Sequence, residues 1–308
     1  MRITLMHNPR AGRGEHKADE LMALLVKAGH EATYQSMDEK DYKDALDLPT
    51  DAVVAAGGDG TVGKVARQLV GRGIPLSILP LGTANNLART LGFTGSPAKL
   101  IGQLADTERR NFDVGRATGP WGERYFFEGA GAGLLPDYFR ELASIVKEQE
   151  DAESISKKKE ITRHVALLRR LLPAYSAREW QLSLDGEDVS GRYLLWEAMN
   201  IRSVGPVLTL APQAETADGQ FDFVAVPESD RSLLADHLAA RLEGNAIAFP
   251  LPARRFRHLR VVWEAATLHF DDELWPRENE EPESSSEIEI EVEASALTVL
   301  LPAEDASP

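Results

Sequence analysis

Apolar positions in the first hundred residues fall into short runs separated by stretches with helical spacing. Ile3–Met6, Glu31–Gln35, Asp51–Ala56 and Leu76–Leu79 read as strands, and Glu15–Lys27, Thr61–Val70 and Asn85–Leu91 read as helices. Strands alternating with helices at this spacing predict a parallel sheet covered on both faces. In such sheets a ligand lies outside the carboxyl ends of the strands. Three turns at those ends are rich in Gly and Asn, namely Asn8–Gly12, Gly57–Thr61 and Pro80–Asn86, and all three are expected to line one crevice.

After about Asn111 the pattern changes to strand-like runs: Phe112–Arg116, Arg124–Glu128, Trp180–Leu184, Tyr193–Asn200, Phe221–Val226, Leu259–Trp263, Thr267–Phe270, Ile288–Val292 and Leu297–Leu301. Helical spacing interrupts them at about Pro136–Gln149, Glu160–Leu172 and Ser229–Glu243. Many short strands with turns between them predict a sandwich or barrel-like second domain. The expected organisation is an α/β, Rossmann-like domain over residues 1–118, with 296–308 returning to it, and a β-sandwich over 119–295.

The bulk properties narrow the function. The chain has no cysteine, which removes disulfides, thiolate metal sites and cysteine nucleophiles and fits a reducing, cytoplasmic setting. No run approaches the length of a membrane span, and the N-terminus goes straight into a strand rather than a signal peptide. A formal net charge of −15 argues against nucleic acid as a partner. Most of it is local: Asp271–Glu293 holds eleven carboxylates and one base, Arg277. The low-complexity stretch Asn279–Ser286 within it reads as a solvated loop joining two strands.

The strand Asp51–Ala56 runs into Gly57, Gly58, Asp59 and Gly60, and a helix follows at Thr61. Glycines let backbone approach a ligand closely, and a helix N-terminus favours an anion. Asp59 would repel a bare phosphate, so it is expected to accept hydrogen bonds from the loop or to reach a nucleotide's metal. Gly58–Lys64 fits the spacing of a P-loop, but Val65 stands where Ser or Thr is needed, and that reading is rejected. No Rossmann glycine fingerprint follows the first strand.

These residues resemble the catalytic domain of the diacylglycerol kinase family, which includes bacterial lipid kinases and the sphingosine and ceramide kinases. Asn8-Pro9-x-Ala11-Gly12 resembles the family's first motif, and Gly57–Thr61 is its GGDGT signature. Pro80–Arg89 resembles P-x-G-T-x-N-D-x-A-R, Phe127–Gly133 is similar to F-x-N-x-x-G-x-G, and Leu210–Asp222 looks like A-P-x-A-x-x-x-D-G-x-L-D. The resemblance implies ATP as phosphoryl donor and a lipid hydroxyl as acceptor. It places the nucleotide against Gly58–Lys64, Thr83 and Asn8–Gly12, with Gly82 and Asn86 in the same turn as Thr83 and Ser36 nearby. It further implies Mg²⁺ at the Asp218-Gly219 turn, held by Asp218 and by carbonyls near Glu215 and Gln220. By spacing alone that dipeptide is an ordinary hairpin turn. The expected partners are the lipid, transient contact with a membrane surface and a second copy of the chain.

Phosphoryl transfer needs positioning, charge neutralisation and an acceptor for the hydroxyl proton. The family's base lies in an Asp-Gly-Glu motif before a closing strand. Asp185-Gly186-Glu187 matches in letters but sits mid-chain, whereas Asp271-Asp272-Glu273 precedes the last strand. Order along the chain assigns Asp271 as base and Glu273 as its support. Three departures from the family pattern stand out: Gly63-Lys64 for Asn-Glu, Asn86 for Asp, and Asp272 for Gly. They keep two alternatives open, a kinase of a soluble acceptor such as NAD and a non-catalytic nucleotide- or lipid-binding relative. Ile161, Val165, Leu168 and Leu172 form an apolar stripe flanked by Lys157–Lys159, Arg163, Arg169 and Arg170. It suits a helix packed on the sandwich or, second, one lying on an anionic membrane.

Overall fold

The computed structural model describes residues 1–148, 157–205, 208–243, 245, 249–277, 280 and 285–302. In chain order the elements are β1 (Arg2–His7), α1 (Ala18–Lys27), β2 (Glu31–Ser36), β3 (Ala52–Gly57), α2 (Asp59–Leu69), β4 (Leu76–Pro80), α3 (Asn86–Thr90), α4 (Pro97–Gly102), β5 (Glu108–Gly119), β6 (Gly122–Phe126), β7 (Gly129–Gly133), α5 (Leu134–Glu148) and α6 (Lys157–Leu171). They continue with β8 (Arg178–Leu184), β9 (Glu187–Asp188), β10 (Gly191–Met199), β11 (Ser203–Val204), β12 (Leu208–Thr209), β13 (Phe221–Pro227), α7 (Arg231–Leu242), β14 (Arg254–Phe256), β15 (His258–Trp263), β16 (Leu268–Phe270), β17 (Glu273–Trp275) and β18 (Ser286–Leu301). The chain divides into two compact units, Met1–Val114 with the segment from Ala294, and Gly115–Glu293.

The first unit is a parallel sheet in the order β2-β1-β3-β4, extended beyond β4 by the end of β18, where Val299 pairs with Leu76. Ala52–Ala56 of β3 are all fully buried, as a strand covered on both faces requires. That is why these strands read as unbroken apolar runs rather than alternating ones. In this order the chain turns outward from β1 to β2 and then crosses to β3 on the other side. The direction therefore reverses between β1 and β3, and their carboxyl ends flank the crevice where such sheets bind ligands. The turns leaving β1 and β3 begin at Asn8 and Gly58.

The second unit packs two antiparallel sheets face to face. One contains β6, β5, β18, β15, β8 and β9, and the other contains β17, β16, β7, β10, β13 and β14. Trp180, Trp196, Trp263, Phe126, Phe221, Phe256 and Phe270 fill the layer between them. The outer face of the second sheet is covered by α5, α6 and α7, so the sandwich carries a third, helical layer. Val165, Leu168 and Leu172 are buried in that layer with Leu134, Tyr138 and Leu234. The apolar stripe of α6 is thus a packing face, and Arg170 on its other side pairs with Glu141 of α5 at 2.6 Å. Arg254–Phe256 forms β14, which pairs with β13 and leaves Arg254 and Arg255 exposed, and His258 opens β15. Most of the acidic stretch 278–286 lies outside the described residues. Among the described residues no helix is long and apolar enough to cross a membrane.

Candidate functional site

In the first unit, backbone contacts and side-chain hydrogen bonds tie the three glycine- and asparagine-rich turns together. Asn8 Nδ2 donates to Thr61 Oγ1 at 3.1 Å, joining the turn after β1 to the first turn of α2. The Asn8 carbonyl and side-chain oxygen take the N–H groups of Ala11 and Arg10, both at 3.0 Å, which folds the turn tightly. Gly12, with φ +58, backs onto the Leu81 carbonyl. Gly58 and Gly82 meet backbone to backbone. A Cβ on Gly82 would stand 2.5 Å from Gly58 Cα and 2.8 Å from Asn85 Oδ1. Such an approach leaves main chain, not side chain, facing the crevice beside the N-terminus of α2, the arrangement that suits a phosphate.

Two residues fix the turn after β4. Asn85 is left-handed (φ 50) and brackets Gly82, accepting its N–H at 3.0 Å and donating to its carbonyl at 2.7 Å. Asp59 accepts the N–H groups of Asn86 (3.0 Å) and Leu87 (3.2 Å) at the start of α3. Of the two roles expected for Asp59, the carboxylate fills the structural one and locks two loops together. Ser36 ends β2 opposite His7 at the same edge of the sheet, and its hydroxyl accepts the Asp38 N–H at 3.3 Å. Gly57, Gly60 and Thr83 complete the edge. Lys64 is exposed on α2, away from a P-loop lysine's place at a loop.

The second unit holds the carboxylates. Asp271 turns the β16–β17 hairpin with φ +54. Its Oδ1 accepts the N–H groups of Glu128 (2.7 Å), Phe127 (3.0 Å) and Gly129 (3.3 Å), and its own N–H donates to the Gly129 carbonyl at 2.7 Å. Asp272, which stands where the family has Gly, is not among the left-handed residues, so Asp271 itself supplies the turn's unusual φ. Glu273 follows in β17, partly buried.

Beneath this turn lies a pair that sequence reading missed. His269 Nε2 sits 2.9 and 3.0 Å from the two Glu197 carboxylate oxygens, and both side chains are 0% exposed. The His269 Nδ1–H donates to the Asp271 carbonyl at 2.8 Å. Burial pushes the Glu197 carboxyl up toward its neutral form. Burial alone would lower His269, but the Glu197 carboxylate and the Asp271 carbonyl outweigh it and raise it. The two groups are coupled through the short contacts between Nε2 and the carboxylate. Gly131 of β7 makes this possible, because a Cβ there would collide with Glu197 Oε1 and the Trp196 carbonyl. The signal in the sequence was an acid inside Leu194-Leu195-Trp196-Glu197-Ala198-Met199, an otherwise apolar strand.

Asp185 forms the comparison hairpin. It too is left-handed (φ 48), and its carboxylate accepts the N–H groups of Arg257 and His258, but it is exposed and followed by Gly186. Among the described residues no fully buried His–Glu pair like that below Asp271 lies beneath it.

The Asp218 turn is built differently from a metal site. Asp218 Oδ1 accepts the Gln220 N–H at 3.0 Å, and Oδ2 pairs with the Arg255 guanidinium at 3.0 Å. Asp222, buried beside it, faces Arg255 across the strands; burial, with Asp218 and Glu215 nearby, raises its pKa against the pull of Arg255. The positive charge that Mg²⁺ would bring is already supplied by Arg255, so the residues as arranged do not fit a bound cation. Among the described residues no group of three His, Asp or Glu gathers as a metal site.

Known proteins match this chain along nearly its whole length. The sequence profile of the diacylglycerol kinase catalytic domain matches residues 2–117, and that of the YegS C-terminal NAD kinase beta sandwich-like domain matches residues 143–301. A diacylglycerol kinase of Bacillus subtilis (strain 168) is 28% identical over 242 residues, covering 74% of this chain and 75% of its own. One from Staphylococcus aureus (strain bovine RF122 / ET3-1) is 24% identical over 277 residues, covering 86% and 80%. A crystal structure of a diacylglycerol kinase from Bacillus anthracis str. Sterne shares the fold with a TM-score of 0.68 at 17% identity, over 98% of this chain and 97% of that one. With both domains matched in order and the fold shared, the chain belongs to the diacylglycerol kinase catalytic-domain family of lipid kinases, carrying the YegS-type β-sandwich as its second domain.

Proposed function

We propose that the protein transfers the γ-phosphoryl group of ATP, taken up as its Mg²⁺ complex, to a hydroxyl of a diacylglycerol-like or sphingoid lipid. The observation that carries this reading is the backbone contact of Gly58, which leaves β3, with Gly82, which follows β4, beside the β1–β3 point where the sheet order reverses. It brings main chain rather than side chain to the place where a chain of phosphates would lie, and α2 adds its positive end. In the transfer, the acceptor oxygen bonds to the γ-phosphorus as the bond to the β–γ bridging oxygen breaks, and ADP leaves. Asp271 takes the acceptor's proton, with Glu273 beside it. Amide hydrogen bonds fix the carboxylate in place, so the group is positioned before substrate arrives. Contact with a membrane surface follows from the substrate class, and pairing of two copies is part of the same proposal.

A kinase acting on a soluble acceptor is the second reading, favoured by the NAD kinase-like description of the matched second domain. Offering diacylglycerol, sphingosine and NAD in parallel, with the lipids in mixed micelles, separates the two. Lipid phosphorylation exceeding NADP formation is the expected result. NADP formed without lipid product would overturn it.

A further inference from the structure

We infer that His269, braced by Glu197, is a positioning residue that sets the Asp271 carboxylate for its task. The inference rests on the reading of Asp271 as the group that accepts the hydroxyl proton. Three attachments hold Asp271 in its left-handed conformation: its carboxylate on the 127–129 amides, its N–H on the Gly129 carbonyl, and its own carbonyl on His269. The last comes from the side chain of another residue. A carbonyl can only accept, so Nδ1 of His269 carries hydrogen, and Nε2 is left facing Glu197. The brace therefore fixes ring orientation and tautomer together, as a carboxylate behind a histidine does in other sites.

The Asp185 hairpin shows that the turn itself does not need this arrangement. It has the same left-handed Asp, the same carboxylate-to-amide hydrogen bonds and the same N–H to carbonyl bond, here to His258. It achieves them on the surface with glycine at the next position. The Asp271 turn lacks that glycine and instead has a fully buried His–Glu pair below it. Buried pairs of this sort rarely add stability over apolar residues of similar size. What the pair adds here is a rigid donor aimed at one carbonyl, and that carbonyl belongs to the proposed base.

Substitutions that separate the two ring nitrogens test this. The side-chain amide of His269→Asn puts an N–H near the place of Nδ1, whereas that of His269→Gln reaches toward the place of Nε2. His269→Gln is expected to lower kcat at least about tenfold with the KM for ATP little changed, since a carboxylate displaced by an ångström loses up to about a hundredfold. Amide exchange at Phe127–Gly129 is expected to quicken in the same variant, because the carboxylate that protects those groups is no longer held. His269→Asn should restore most of both. Wild-type kcat together with wild-type protection in His269→Gln would overturn the inference. Where that variant fails to fold, position 197 decides. Glu197→Gln keeps a hydrogen-bonding neutral pair and should stay within a few-fold of wild type, while Glu197→Leu should fold and lose kcat. Equal activity of the two would also overturn it. Asp271→Asn is run alongside. Full activity there removes the base reading, whereas loss there with His269→Gln unaffected removes only the brace.

Discussion

Gly82→Ala tests the phosphate cradle at its narrowest point. The new Cβ would stand 2.5 Å from Gly58 Cα and 2.8 Å from Asn85 Oδ1. The nearest atom is main chain, which cannot swing aside, so the two turns must part by about an ångström to reach ordinary contact near 3.4 Å. Overpacking of this kind costs about 1–3 kcal/mol. Opening the turns also misplaces N–H groups, and a hydrogen bond to a charged phosphate contributes about 1.5–3 kcal/mol. Losing one such bond weakens nucleotide binding about 10–100-fold, at 1.4 kcal/mol per factor of ten. Isothermal titration with ATP, with nucleotide-induced thermal stabilisation as a second reading, measures the change. Gly102→Ala is the control, because a Cβ there meets nothing within 4 Å and the backbone is not left-handed. A folded Gly82→Ala protein that binds ATP with wild-type affinity would refute the reasoning.

Three further outcomes are expected. Asp271→Asn should lower kcat by about 10²–10⁴-fold while ATP affinity holds, and Asp185→Asn should leave kcat within a few-fold; steady-state kinetics of both variants would expose the reverse pattern. Arg255→Ala should make thermal stability respond to added Mg²⁺ where the wild type responds little, because it removes the cation that Asp218 and Asp222 share; identical Mg²⁺ responses would count against Arg255 as the substitute charge. Burial lowers His7, His30 and His237 below their ordinary value of 6.5, so the unfolded chain binds more protons between that value and the lowered ones. Stability should fall as pH drops through that window, against the opposite drift of His269, whose contribution is present at low pH and lost as pH rises through its raised value. Urea midpoints measured against pH should show the slope, and His237→Leu should reduce it.

The parts of the fold most legible in sequence were those where burial and propensity agree. Ala52–Gly57 and Leu76–Pro80 are unbroken apolar runs because the parallel sheet buries both of their faces. Gly129–Gly133 was illegible as a strand. Glycine and alanine carry no strand preference, and they are there to leave room for Glu197 and the neighbouring backbone. β18 reads as two strands because Ser295 breaks the alternation. It takes φ +56 and donates its N–H to the Asp113 carboxylate at 2.8 Å within one continuous strand. The site followed the same division. Glycine-rich turns announce themselves by spacing, so the loops at the sheet edge could be read directly. The roles of Asp59, Asn85 and Arg255 depend on partners roughly 3 to 40 residues away, and no local pattern encodes such a pairing. Glu197 and His269 lie 72 residues apart and meet only through β7.

Stoichiometric transfer of label from ATP to lipid is the direct test of lipid kinase activity. The purified protein is given ATP labelled in the γ-phosphate and diacylglycerol in mixed micelles, and both ADP and phosphorylated lipid are quantified. One labelled lipid is expected for each ADP formed, with the label retained on the lipid and both products lost together in Asp271→Asn. ADP released without labelled lipid, or ATP bound without turnover in the presence of every lipid acceptor offered, would contradict it.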